Sequence, residues 1–142
     1  MEGEEKEEVK EVEEKTGGKA PPVRRYADLL VYQQAYRLAL EVSKLTKSFP
    51  THEQYELGRQ LRACSRSIAA NVVEGWAKRN SAAEFKRHLM IASGECAETR
   101  FWLDLATDEG LTNKTRIEPM KADYAKLAMM LHNLWKGWRK IA

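Results

Sequence analysis

The stretch that decides the fold is Leu57-Gly-Arg-Gln-Leu-Arg-Ala-Cys-Ser-Arg-Ser-Ile-Ala-Ala-Asn-Val-Val-Glu-Gly-Trp-Ala-Lys78. Leu57, Leu61, Cys64, Ile68 and Val72 recur every three or four residues. That is the period at which an α-helix gathers side chains on one face. The spacing predicts an amphipathic helix over residues 52–78, with Thr51 as its N-cap and Gln54 as capping-box partner. Near its end, Ser67-Ile-Ala-Ala-Asn-Val-Val-Glu-Gly75 sets an asparagine and a glutamate beside the apolar stripe. Gly75 closes the stripe and would let a neighbouring backbone approach closely.

The same period repeats on both sides. Residues 30–47 carry Val31, Ala35, Leu38, Val42 and Leu45, with Phe49 beyond them, and Pro50 stops the helix. Residues 82–108 carry Phe85, Leu89, Ala92, Cys96, Leu103 and Ala106; Ser81 with Glu84 forms a capping box and Gly110 ends the run. Met120, Tyr124, Leu127, Leu131, Leu134 and Trp138 mark a last helix. Pro119 costs a hydrogen bond in a helix interior. The expectation is therefore a short turn at 112–117 and a main helix over 118–140. No alternating strand pattern competes. Four helices of similar length with short connections predict an all-α, antiparallel, up-down-up-down four-helix bundle, one domain over residues 23–142.

Charge divides the chain differently. Residues 1–19 hold eight glutamates and four lysines, a net of −4; the whole chain is +3, which leaves +7 on the rest. Residues 1–22 read as a disordered acidic tail and linker, because so few apolar side chains cannot offset the entropy of ordering them. The acidic start resembles neither a secretory signal nor a transit peptide. No apolar run approaches the roughly 20 residues that span a bilayer. The expectation is a soluble, cytoplasmic protein with no membrane partner.

Enzyme classes find little support. Cys64 and Cys96 have no partner at CxxC spacing, and both fall on apolar faces. A di-iron bundle needs Glu-x-x-His on two helices, but Phe49, Phe85 and Met129 precede the three histidines by three residues. There is no Gly-rich phosphate loop and no Ser/His/Asp arrangement. The chain is expected to be no enzyme and to hold no metal or cofactor.

Three constellations remain. Arg59, Arg62 and Arg66 fall within roughly 60° of one another on a helix, opposite the core stripe. They suit phosphate contacts, or equally a solvated face pairing with glutamates of a neighbouring subunit. Lys78, Arg79, Lys86 and Arg87 flank the turn between the second and third helices. Lys136, Arg139 and Lys140 end the fourth at the same end of an up-down bundle. Gln60, Ser67, Asn71 and Glu74 form a polar strip beside the core, which Glu98 could join as a structural network, since carboxylates near a core need partners. The tryptophans at 76, 102, 135 and 138 suggest subunit interfaces, with base stacking as the alternative.

Several segments together resemble one family. Tyr26-Ala-Asp-Leu-Leu-Val-Tyr-Gln-Gln-Ala35 resembles the F-x-D-L-x-V-W-Q-x-A opening of the four-helix proteins encoded in intervening sequences of bacterial 23S rRNA genes. Phe49-Pro50, Glu53, Tyr55, Leu57 and Gln60-Leu61-Arg62 follow that pattern, and Ser67–Gly75 resembles S-I-P-S-N-I-A-E-G. Ala92-Ser-Gly94 and Glu98 match the third-helix motif, although Glu95 stands where the family has serine. Arg100-Phe-Trp-Leu103 and Leu134-Trp-Lys-Gly-Trp138 look more like the related accessory variability protein of diversity-generating retroelements. The resemblance implies a homopentameric ring and association with RNA, beside a reverse transcriptase in that second branch. The functional expectation is a non-enzymatic nucleic-acid-associated accessory protein. The alternative is a structural or protein-binding homo-oligomer with no nucleic-acid role.

Overall fold

The computed structural model describes residues 23–138. The acidic segment 1–22, and Arg139 and Lys140 at the far end, lie outside the described residues. A 3₁₀ turn at Tyr26–Asp28 leads into α1 (Leu30–Lys47). There follow a short α2 (Thr51–Tyr55), α3 (Leu57–Ala77), α4 (Ala82–Asp108) and α5 (Lys114–Gly137). No strand occurs among the described residues. α1 packs mainly on α3, α3 on α4 and α4 on α5, and a thinner contact closes α5 back on α1. With short connections, this neighbour order makes the four long helices an antiparallel bundle.

The predicted stripes become the core. Leu38, Val42, Leu61, Ile68, Val72, Phe85, Ala92, Leu103, Tyr124 and Leu131 are wholly buried. Burial of apolar area at about 25 cal/mol per Å² is the main term holding the helices together. Cys64 and Cys96 are free and buried; burial pushes the Cys96 thiol up to about 12, so it stays protonated and inert.

Helix ends follow local chemistry. The Ser81 hydroxyl accepts the Glu84 N–H at 3.3 Å, but the Glu84 carboxylate turns to Arg87 at 3.1 Å, so only half of the expected capping box forms. Gly110 adopts φ +81°. Its N–H reaches the Thr107 carbonyl, and that of Leu111 reaches Ala106, the paired bonds of a glycine-closed helix end.

Two boundaries differ from expectation. The helix predicted over 52–78 is broken at Glu56, whose backbone leaves the helical region at φ −94°, ψ −93°. Thr51 caps nothing: Pro50 holds the N-cap position without a side-chain bond. The Gln54 amide instead donates back to the carbonyls of Phe49 at 2.8 Å and Lys47 at 3.3 Å, tying down the end of α1. The last helix starts at Lys114, not 118. Asn113 accepts the Arg116 N–H at 3.0 Å, and Ile117 is buried. This cap and this anchor outweigh the one bond that Pro119 forfeits in the second turn.

Candidate functional site

The arginines on the outer face of α3 part company. Arg59 and Arg66 are exposed, while Arg62 is half-buried. The break at Glu56 frees the Gln54 carbonyl from its helical partner. Arg62 Nη2 takes that carbonyl at 2.9 Å, and Nη1 reaches the Thr46 hydroxyl at 3.1 Å. Gly58 makes room: a Cβ there would lie 3.0 Å from Arg62 Nη1 and 3.2 Å from the Glu53 carbonyl. Arg62 is thus a clamp between α1, α2 and α3, and not one of three equivalent phosphate ligands.

The polar strip is also split. Asn71 Nδ2 donates to the Ser67 carbonyl at 2.9 Å and lies 3.1 Å from its hydroxyl. A carbonyl only accepts, so the amide orientation is set, and Asn71 Oδ1 faces α4. There it lies 3.0 Å from His88 Nδ1, which must therefore carry the ring proton and donate it. Glu74 stands 3.8 Å from the same nitrogen. Gln60 and Glu98 take no part. Gln60 lies in a shallow depression with Glu53, Glu56 and Glu109 at the other end of the bundle. Glu98 is exposed and faces Glu95, whose carboxyl is held above its ordinary range by burial and by this neighbour.

His88 is the member that the sequence did not disclose. It is buried to 3% exposure, on the face that Phe85, Leu89 and Ala92 define. Position 88 falls on that core stripe, and this was the one available signal. Gly75 is the reason it fits. A Cβ at 75 would meet His88 Cβ at 2.8 Å and Phe85 Cδ1 at 2.9 Å. The close approach foreseen for Gly75 is therefore to side chains of α4.

With its proton on Nδ1, the imidazole turns the lone pair of Nε2 outward. Two cations converge on it: Lys78 Nζ at 3.4 Å and Arg87 Nη2 at 3.3 Å. Burial first, then Arg87 and Lys78, hold this histidine below its usual range, and Glu74 and Glu84 only partly oppose them.

The surrounding end of the bundle is basic. Arg79 lies over the Trp76 ring at 4.3 Å and donates to the Trp76 carbonyl at 3.1 Å. Lys86 lies over Trp135 at 5.3 Å. These are cation–π distances. Trp76 and Trp138 do not lie on an outer face as an interface reading required. They are buried, and with Phe85 they form an edge-to-face cluster, Phe85 to Trp138 at 4.6 Å and Trp76 to Trp138 at 6.2 Å. Trp102 and Trp135 are half-buried. The cluster joins the ends of α3 and α5 to the start of α4, and so puts the turn of α5 that carries Lys136 at the same end of the bundle as the four predicted basic residues. Topology adds Arg24 and Arg25, which precede α1. Among the described residues no carboxylate lies within 4.0 Å of Lys78, Arg79, Lys86 or Lys136, and no group of acidic, histidine or cysteine residues could hold a metal.

The motif that builds this end, Asn71 to Gly75, and the opening segment from Ala27 to Ala35 fall within a match to a known family model. That model is the 23S rRNA-intervening sequence protein, and it matches residues 27–133. The chain belongs to this family. A solved relative is the 1.70 Å crystal structure of a protein of unknown function from the S23 ribosomal protein family of Bacteroides thetaiotaomicron. It is 27% identical, with a TM-score of 0.67 over 75% of this chain and 99% of that one. No curated protein matches. Within the family motif of this chain, Asn71 orients His88, Glu74 flanks it, and Gly75 leaves it space. No described helix is long and apolar enough to cross a membrane.

Proposed function

We propose that this protein is a non-enzymatic accessory protein that binds RNA through the basic end of its bundle. The observation that carries this is the gathering of Lys78, Arg79, Lys86 and Arg87 around the α3–α4 turn, with Lys136 at the same end of the bundle. Four of these five lack a carboxylate neighbour among the described residues. Unpaired cations fixed on aromatic faces are suited to phosphates, because each neutralised phosphate releases a condensed counterion. Membership of a family named for an rRNA intervening sequence supports the choice of RNA. A homopentameric ring would repeat the basic end around an axis and raise affinity for a polyanion by avidity. A reverse transcriptase acting on the same RNA is the protein partner to which the retroelement-like Arg100–Leu103 and Leu134–Trp138 point.

The second reading is a structural homo-oligomer. It is favoured by Tyr36 and Leu40 on α1, Met90 and Phe101 on α4 and Met129 on α5, all more than half exposed. Fluorescence-anisotropy titration of a structured RNA over about 50–300 mM salt separates the two. A steep fall of affinity with salt is expected of the RNA reading. No binding at the lowest salt would leave the oligomer reading.

A further inference from the structure

We propose that Lys78, Arg87 and His88 form an oxyanion pocket that takes one phosphate of a bound RNA together with one proton. The inference rests on the RNA reading above and adds to it a specific phosphate position and a linked proton.

The geometry of the unliganded site is incomplete. One imidazole lone pair can accept one good hydrogen bond, yet two cations share it at 3.3 and 3.4 Å, both long for a bond between nitrogens. Arg87 has a second acceptor in Glu84; Lys78 has no other among the described residues. Two cationic nitrogens therefore converge on a third, Nε2, with His88 held from behind by Asn71, which is itself bonded to Ser67. A phosphate oxygen placed there would accept from all three once Nε2 is protonated. Lys78 and Arg87 would then give up the lone pair and turn to the phosphate, where charge-assisted bonds are shorter and stronger.

The charged groups facing the ring are Glu74 and Lys78 from α3 and Glu84 and Arg87 from α4. In the free protein the two cations and burial disfavour the imidazolium. A bound dianionic or monoanionic oxyanion cancels their field and favours it. By linkage, binding takes up a proton, and affinity rises as pH falls from the bound midpoint of His88 toward the free one, which lies below the ordinary value of 6.5. The gain is up to about tenfold per pH unit between the free and bound titration midpoints.

The test is NMR titration of the three histidines in the full chain between pH 5 and 8. It is run alone, with a ten-nucleotide oligouridylate, and with sulfate; neither probe changes charge over this range. The expected result is a free His88 midpoint below the ordinary histidine value of 6.5, and a rise when either probe binds. Lys78→Gln should raise the free midpoint and shrink the displacement. Oligouridylate binding that leaves His88 unmoved overturns the pocket and spares the RNA reading. If the oligonucleotide does not bind at low salt, the RNA reading fails, and sulfate alone decides the pocket: movement of His88 sustains it and no movement removes it. An unchanged free midpoint in Lys78→Gln also overturns it.

Discussion

The two ends of α3 carry similar charges and use them in opposite ways. At its start, Arg62 is half-buried and spends its guanidinium on the Gln54 carbonyl and the Thr46 hydroxyl. At its finish, Lys78 and Arg87 share one histidine lone pair, Arg87 alone also meets a carboxylate among the described residues, and Arg79 and Lys86 rest on indole faces. The first end has spare acceptors, because a broken helix exposes its carbonyls. The second has spare donors, because Trp76 and Trp135 hold Arg79 and Lys86 without giving them anions. A count of basic residues does not separate these cases; the supply of acceptors around each one does.

The sharpest way to break the comparison is to remove the platform under the basic end. Phe85 and Trp138 are almost fully buried and 4.6 Å apart between ring centroids. Trp138→Ala should cost about 3–5 kcal/mol in urea denaturation, the usual range for deleting a buried large aromatic. A loss under 1 kcal/mol would mean that this end is not held by the cluster.

A smaller effect compares two glycines of the family motifs. Gly75→Ala forces a methyl to within 3 Å of His88 and Phe85 and should destabilise by about 1–3 kcal/mol. Gly94→Ala meets nothing within 4 Å on the exposed side of α4 and should stabilise by up to about 1 kcal/mol through helix propensity. Equal effects in thermal melts would contradict the packing described around His88.

The arginines offer the next contrast. Arg62→Leu leaves a carbonyl and a hydroxyl without their donor and should cost about 1–2 kcal/mol. Arg59→Gln and Arg66→Gln, at exposed positions, should change stability by no more than about 0.5 kcal/mol. Three similar values would restore Arg62 to a common arginine face.

The smallest effect is in pH. Unfolded histidine binds its proton near 6.5, and folded His88 does so at lower pH. Between these values the unfolded state holds more protons, so stability falls as pH drops below 6.5 and levels off below the folded midpoint. The loss is at most about 1.4 kcal/mol per pH unit. The difference in stability between wild type and His88→Gln should shrink over that window. A constant difference would show that His88 titrates normally.

Much of this was legible in the residues. Every position of the four predicted stripes is buried, because a 3.6-residue period maps directly onto one helix face. The Ser81 cap and the Gly110 stop were legible because they depend on neighbours within one turn. The break at Glu56 was not: no proline marks it, and the carbonyl it frees is taken by Arg62 in a contact between elements. The early start at Lys114 lay in a competition between the Asn113 cap and Pro119 that propensity alone decides the other way. Asn71 and Glu74 were visible as misplaced polar residues beside a stripe. Their partner His88 was hidden, since one helix says nothing of what its neighbour brings. Gln60 and Glu98 were joined to them by helical phase alone, which ignores distance along the axis.

The measurement that tests the central claim most directly is the salt dependence of RNA affinity in two double variants. Lys78→Gln/Lys86→Gln should weaken binding and flatten the plot of log affinity against log salt by about 1–2 units, as expected when two phosphate contacts are lost. Arg59→Gln/Arg66→Gln should leave the slope within about half a unit of wild type. The opposite ranking, or an unchanged slope in the lysine variant, would contradict an RNA surface at the basic end of the bundle.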